Sequence, residues 1–195
     1  MKCRLVNRDR KLVLLIFALT FGYSLLRYIV FKGVSVEQIP VYITNKAVSW
    51  TGLILLGLAP LIHVDRRRTI GQAGFLFVIL HVIMSLMIFN SVYFAKFYSE
   101  VGYLLWQAEA SMLAGAVGTV LLLKLFVHVG ENNNHNGSLI LGLGRLILIL
   151  TGAHLGLMGY RSWSDAEHWP GHLPPITLLS FLTVIVLLGL RQLRR

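Results

Sequence analysis

The chain has 195 residues, 56% hydrophobic and 13% charged, with a mean hydropathy of +0.71. Soluble domains are nearer half apolar and a quarter charged, and here the apolar residues fall into runs of about 20, the length that crosses a bilayer as a helix. The net charge of +10 does not point to nucleic acid, because the basic residues sit at the ends of hydrophobic runs, where the positive-inside rule places them. The one cysteine, Cys3, excludes an internal disulfide, a CxxC redox or zinc motif, and the cysteine pairs of a disulfide-generating membrane enzyme.

The opening stretch "MKCRLVNRDRKLVLLIFALTFGYSLL" starts like a signal peptide. Its apolar run is long and no small-x-small cleavage site follows, so it reads as a retained first span. Six spans are predicted, at about 12–31, 47–64, 71–91, 104–128, 139–160 and 173–191. The connections are short, so neighbouring helices are expected to run antiparallel. The expected architecture is all-α: one polytopic domain over residues 1–195, a six-transmembrane-helix bundle. No segment is left for a soluble domain, and "LGLGRL" lies inside a hydrophobic span and is no phosphate loop.

Three basic clusters set the expected orientation: Lys2, Arg4, Arg8, Arg10 and Lys11; Arg66, Arg67 and Arg68; and Arg191, Arg194 and Arg195. Six spans put all three on one side, which the positive-inside rule makes the cytoplasm of a cell membrane. Both termini are therefore expected to be cytoplasmic. The segments "FKGVSVEQIPVYITNK", "NSVYFAKFYSEVGY" and "RSWSDAEHWPGHLPP" fall on the other side and carry the aromatic residues of an interfacial belt. The cytoplasmic connection "GENNNHNGS" carries no Lys or Arg.

Two spans contain a histidine. "GFLFVILHVIMSLMIFN" holds His81, and "RLILILTGAHLGLMGY" holds His154. The third and fifth spans run in the same direction, so the two histidines are expected at similar depth, between the bilayer centre and its outer part. Two imidazoles on facing helices suit one metal ion or one haem iron clamped from opposite sides. Neither span adds a carboxylate or cysteine beside its histidine, which disfavours zinc. Thr151, Gly152, Gly156 and Gly159 around His154, and Gly74 near His81, leave room for a flat cofactor or a close helix. Histidines that only bond across helices, and histidines on a proton path, are the other two readings.

Two stacked haems on the same helices would need second histidines 13 or 14 residues away, about 20 Å along each helix. Those positions are Arg67, Arg68, Phe94 and Ala95 from His81, and Ile140 and Leu141 from His154; His168 lies beyond the helix. One haem is therefore expected.

The segments "NKAVSWTGLILLGLAPL", "RRRTIGQAGFLFVILHVIMSL" and "RLILILTGAHLGLMGY" resemble the ferric reductase-like transmembrane domain family. That family includes the STEAP metalloreductases, the NADPH oxidases and the haem subunit of bacterial methionine sulfoxide reductase systems. The resemblance runs from about residue 46 to 190. It implies six helices, b-type haem and transmembrane electron transfer, with His81 and His154 as axial ligands. The sequence departs from larger members in carrying no FAD or NADPH domain and no second histidine pair. It is expected to be a haem b component that is not self-sufficient as an oxidoreductase. Flavin or quinone chemistry would come through a partner: a flavoprotein or quinol as donor, and a separate acceptor.

Arg161 lies two turns beyond His154 on the same face and is a candidate for haem propionates, with snorkelling to the interface as the alternative. Arg145 projects from the opposite face. Arg66–Arg68 are candidates for docking a donor, or simply anchor the topology. Gln107 and Glu109 lie near the outer end of the fourth span, and Glu109 either relays protons or reaches the interface. Lys124 and His128 are expected to snorkel, and His63, beside Asp65, to be interfacial. His168 and His172, with Asp165 and Glu167, are weighed as an outer metal site and read as surface loop. Pro174 and Pro175 suit the first turn of the last helix. The reading from a different class is a haem-free small transporter or structural membrane protein, its buried histidines lining a proton or substrate path.

Overall fold

The computed structural model describes residues 2–131 and 137–193, with side chains over 7–63, 66–128 and 140–193. The side chains of Lys2, Cys3, Arg4 and Asp65, the middle of the connection before the fifth span, and Arg194 and Arg195 lie outside the described residues. Six α-helices follow in order: α1 (Lys2–Leu25), α2 (Thr44–Leu58), α3 (Val64–Ile88), α4 (Trp106–Glu131), α5 (Gly137–Gly159) and α6 (Ile176–Leu193). With their flanking turns they give six segments long and apolar enough to cross a membrane: Asn7–Phe31, Val36–Leu61, Arg66–Ile88, Trp106–His128, Ile140–Ser162 and Pro170–Leu193. The all-α six-helix bundle expected from the sequence is the fold observed.

The surface is inverted relative to a soluble protein. Leu14, Leu19, Leu76, Leu86, Leu113 and Val120 are exposed, whereas Thr20, Ser24, Asn45, Thr51, Ser111 and Ser180 are buried. That is the arrangement lipid favours, because an apolar side chain loses nothing by facing acyl chains and a polar one needs a partner inside. Between α1 and α2 the Thr20 and Thr51 hydroxyls meet at 2.7 Å, and Ser24 Oγ donates to the Thr20 carbonyl.

α2 packs on α1, α3 and α6, and α5 packs on α4 and α6. α3 and α4 touch lightly, and the histidine-bearing helices α3 and α5 share no extensive packing. They approach through a plug of Phe75 (α3), Leu122 (α4) and Ile147 (α5), on the side of the histidines that faces the chain termini.

Two boundaries differ from expectation. The predicted first connection, residues 32–46, is mostly helical. α1 continues as a π-helical turn over Leu26–Phe31, and a second π-helical segment, Ile39–Ile43, runs straight into α2. Pro40 stands in the first turn of that segment, where its missing N–H costs nothing. Ile39, Tyr42 and Ile43 pack with Tyr28 and Ile176. α3 begins at Val64, earlier than 71, because the His63 carbonyl accepts the Arg66 and Arg67 amides at 3.0 and 3.2 Å.

The end opposite the termini is closed by two folded connections. In one, Leu105 N donates to the Phe97 carbonyl at 2.8 Å and Lys96 Nζ donates to the Met158 carbonyl at 2.8 Å. In the other, Trp169 Nε1 donates to the Ser162 carbonyl, and Tyr23 Oη to the Pro174 carbonyl. Gly171 takes φ 59 here, and the Phe31 ring lies where its side chain would stand. Pro174 and Pro175 stand just before α6, and the Pro175 carbonyl accepts the first helical amides, from Leu178 and Leu179.

Candidate functional site

His81 and His154 are each held from behind by a neighbouring helix. The His81 Nδ1 atom lies 2.7 Å from Asn45 Oδ1 of α2, and Asn45 Nδ2 donates to Ser85 Oγ at 3.0 Å. Ser85, one turn along α3, is 3.3 Å from the same ring nitrogen. His154 Nδ1 lies 2.8 Å from the Ser111 carbonyl of α4. The Ser111 hydroxyl donates to the His154 carbonyl at 2.9 Å and lies 3.1 Å from Nδ1.

Oxygen acceptors at both Nδ1 atoms require Nδ1 to carry the proton, and in the neutral ring that leaves Nε2 with the lone pair. Among the described residues no hydrogen bond engages either Nε2. Both rings are half-buried, and His154 lies within electrostatic range of His81. A neutral imidazole oriented through Nδ1 with Nε2 open is the form in which histidine ligates a metal.

The anchors of both rings lie on the same side of the bundle. Ser111 is five residues into α4, about 7.5 Å along its axis, and Asn45 is the second residue of α2. Both anchors therefore sit in the half of the bundle away from the termini. Gly115 of α4 makes the His154 position possible: a Cβ there would stand 3.0 Å from the ring's Nδ1.

Asn45, Ser85, Ser111 and Gly115 were not legible as site residues in the sequence. Ser85 carried a usable signal, since four residues on from His81 is the same helical face. Asn45 falls in the predicted first connection, residues 32–46. Of the two readings of the small residues, close helix approach is the one these glycines serve. A Cβ on Gly74 would meet Leu56 N at 2.8 Å, so Gly74 seats α3 on α2. Gly152 and Gly156 face Val184 and Phe181 of α6, and Gly159 faces Thr177. Thr151 bonds back to the Ile147 carbonyl.

Arg161 is exposed; its Nε donates to Tyr160 Oη at 3.2 Å, and with Gln107's amide oxygen turned toward it, Nη2 donates there at 3.0 Å. Lys96, Gln107 and Arg161 line a small pocket against Leu157 and Ala108. Arg66 forms an ion pair with Asp9, which is only 2% exposed, and Arg67 Nη2 donates to the Pro60 carbonyl at 3.3 Å, while Arg68 is exposed. Of the three arginines, Arg66 thus ties α3 to α1. Glu109, Lys124 and His63 are exposed, and His128 is half-buried at its helix end.

His168 Nδ1 lies 2.6 Å from Asp165 Oδ1. That carboxylate raises the His168 pKa above the usual histidine value. Among the described residues no group of three or more His, Cys, Asp or Glu gathers in a metal-binding arrangement. His168 and His172 lie exposed in the short turns Ala166–His168 and Pro170–His172. The donor set at His81 and His154 fits haem, which asks two ligands of the protein, and does not fit a three- or four-ligand zinc site.

No protein-family model matches the chain, and no curated protein matches it. What the fold and site define is a class: a multi-pass α-helical membrane protein with two intramembrane histidines, one on α3 oriented by the Asn45 side chain and one on α5 oriented by the Ser111 backbone carbonyl.

Proposed function

We propose that this chain is a haem b-binding electron-transfer protein of the cell membrane, with one haem per chain between His81 and His154. The observation that carries the reading is the pair of Nδ1 anchors, the Ser111 carbonyl and Asn45 Oδ1, which leave both Nε2 atoms available. His81 and His154 would hold the iron, and haem would supply reversible one-electron transfer when bound. The chain's own residues orient the ligands and raise their basicity through Nδ1. Phe75, Leu122 and Ile147 keep water from the site on the terminal side. Arg161, with Gln107 beside it, is proposed to meet one propionate carboxylate.

Both termini are proposed to face the cytoplasm. Electrons would then arrive there from a membrane quinol, or from a flavoprotein docking at Arg67 and Arg68, and leave to an acceptor, as in ferric reductase-like proteins. The test is an oxidised-minus-reduced spectrum on purified chain, with haem counted per protein. One low-spin haem b per chain supports the reading. A chain purified without haem that takes none up on reconstitution contradicts it, and returns the histidines to a proton or substrate path.

A further inference from the structure

A cluster of cations gathers around Tyr28 and Tyr42, where the end of α1 meets the start of α2. Arg27 is 6% exposed, and its Nε and Nη1 atoms are buried with no hydrogen-bond partner. Its Cζ lies 5.3 Å from the Tyr28 ring centroid. Lys46 Nζ lies 4.7 Å from the same centroid and 4.3 Å from that of Tyr42, and Lys32 Nζ lies 5.9 Å from Tyr28. Arg27 and Lys32 both act electrostatically on Lys46. Among the described residues no carboxylate pairs with any of these cations.

Cation–π contacts offset part of the cost of gathering three positive groups, but they bring no net negative charge. Unpaired charge at membrane depth is expensive, and such groups commonly mark a ligand path. The backbone is unusual at the same place. Both π-helical segments, Leu26–Phe31 and Ile39–Ile43, meet here and supply Arg27, Tyr28 and Tyr42, and π segments inside helices recur at functional sites. Lys46 follows Asn45, the His81 anchor, in sequence, and its charge acts on His81.

We propose that Arg27 and Lys46, backed by Lys32, receive a propionate carboxylate of the porphyrin held by His81 and His154. This rests on the haem reading above. A guanidinium with two free N–H groups and an ammonium form a charge-assisted carboxylate site. The second propionate would fall to the pocket of Lys96, Gln107 and Arg161.

The test titrates haem b, and haem b with both propionates methyl-esterified, into haem-stripped full-length chain, following the Soret band. Wild type should bind the diester about tenfold more weakly or worse, as expected on losing charge-assisted hydrogen bonds. Lys46→Gln should weaken haem binding and leave diester binding unchanged, while Lys46→Arg keeps the wild-type preference. Helix content and thermal unfolding of Lys46→Gln should match wild type; a preference lost only through misfolding would weaken both ligands alike and counts against the proposal. Wild type that binds the diester as tightly as haem overturns the propionate site and leaves the haem reading standing. Failure to bind either ligand overturns the haem reading, and this one with it.

Discussion

His154 donates its Nδ1 proton to the main-chain carbonyl of Ser111 across 2.8 Å, and the Ser111 hydroxyl returns a bond to the His154 carbonyl at 2.9 Å. The imidazole is thus oriented by backbone. His81 depends on a side chain, Asn45, for the same service at 2.7 Å.

The two histidines should therefore respond differently to loss of their partners. Asn45→Leu is expected to weaken haem binding about 10–100-fold, the usual cost of removing a ligand's orienting group. Ser111→Ala keeps the carbonyl and should cost only a few-fold. Haem affinity of the two variants by spectral titration checks this. Equal losses would show that the Asn45 bond does not orient His81.

Arg66 and its neighbours should separate stability from docking. Asp9 is 2% exposed beside Arg66, so Arg66→Ala leaves a buried carboxylate unpaired. It should destabilise the chain toward the low end of the about 3–5 kcal/mol typical of a broken buried pair, since Arg66 keeps some exposure. Arg67→Ala with Arg68→Ala should leave the unfolding temperature near wild type and slow reduction by a flavoprotein donor. That rate should fall as salt rises through the screening range, whereas quinol-driven reduction should not. NADPH alone is expected not to reduce the chain. Rapid anaerobic reduction by NADPH without flavin or reductase would contradict the partner requirement.

Lys96 predicts a pH dependence. Burial of its ammonium, with Lys46 and Lys32 nearby, pushes its pKa down to about 8 from the ordinary 10.5. The folded chain then holds fewer protons than the unfolded chain between those two values, so stability should rise with pH across that window. Thermal unfolding of the haem-free chain in detergent from pH 7.5 to 10 should show that rise for wild type and a flatter profile for Lys96→Met. Parallel profiles would show that Lys96 titrates normally.

Topology follows from the same six helices. In a Cys3→Ser background, cysteines at Ser138 and Ser164 should label from opposite sides of sealed vesicles with an impermeant thiol reagent. Ser164 should label from outside. Labelling of both from one side would contradict six crossings.

The sequence made the bundle legible because lipid imposes one simple rule, an apolar run of spanning length for each helix. It made His81 and His154 legible for a related reason, since an ionisable side chain in such a run stands out. It hid what depends on packing between helices. Asn45 falls in the predicted connection because residues 32–46 carry a proline and polar residues. The π-helical run Ile39–Ile43 and the contacts of Tyr28 with Ile43 and Ile176 convert that stretch to helix. The Ser111 carbonyl was invisible in principle, since every residue has one. Gly74, Gly152 and Gly156 serve close helix approach at α2 and α6, one of the two readings they carry, because spacing alone does not tell a neighbouring helix from a flat ligand. Arg27 passed unnoticed at the end of a span, where an arginine ordinarily reaches water.

The central claim is tested most directly by haem content after removing the two ligands. Purified His81→Ala, His154→Ala and the double variant should each lose most of their haem while retaining wild-type helix content. His63→Ala and His128→Ala should keep one haem per chain. A double variant carrying a full complement of low-spin haem b would contradict the account.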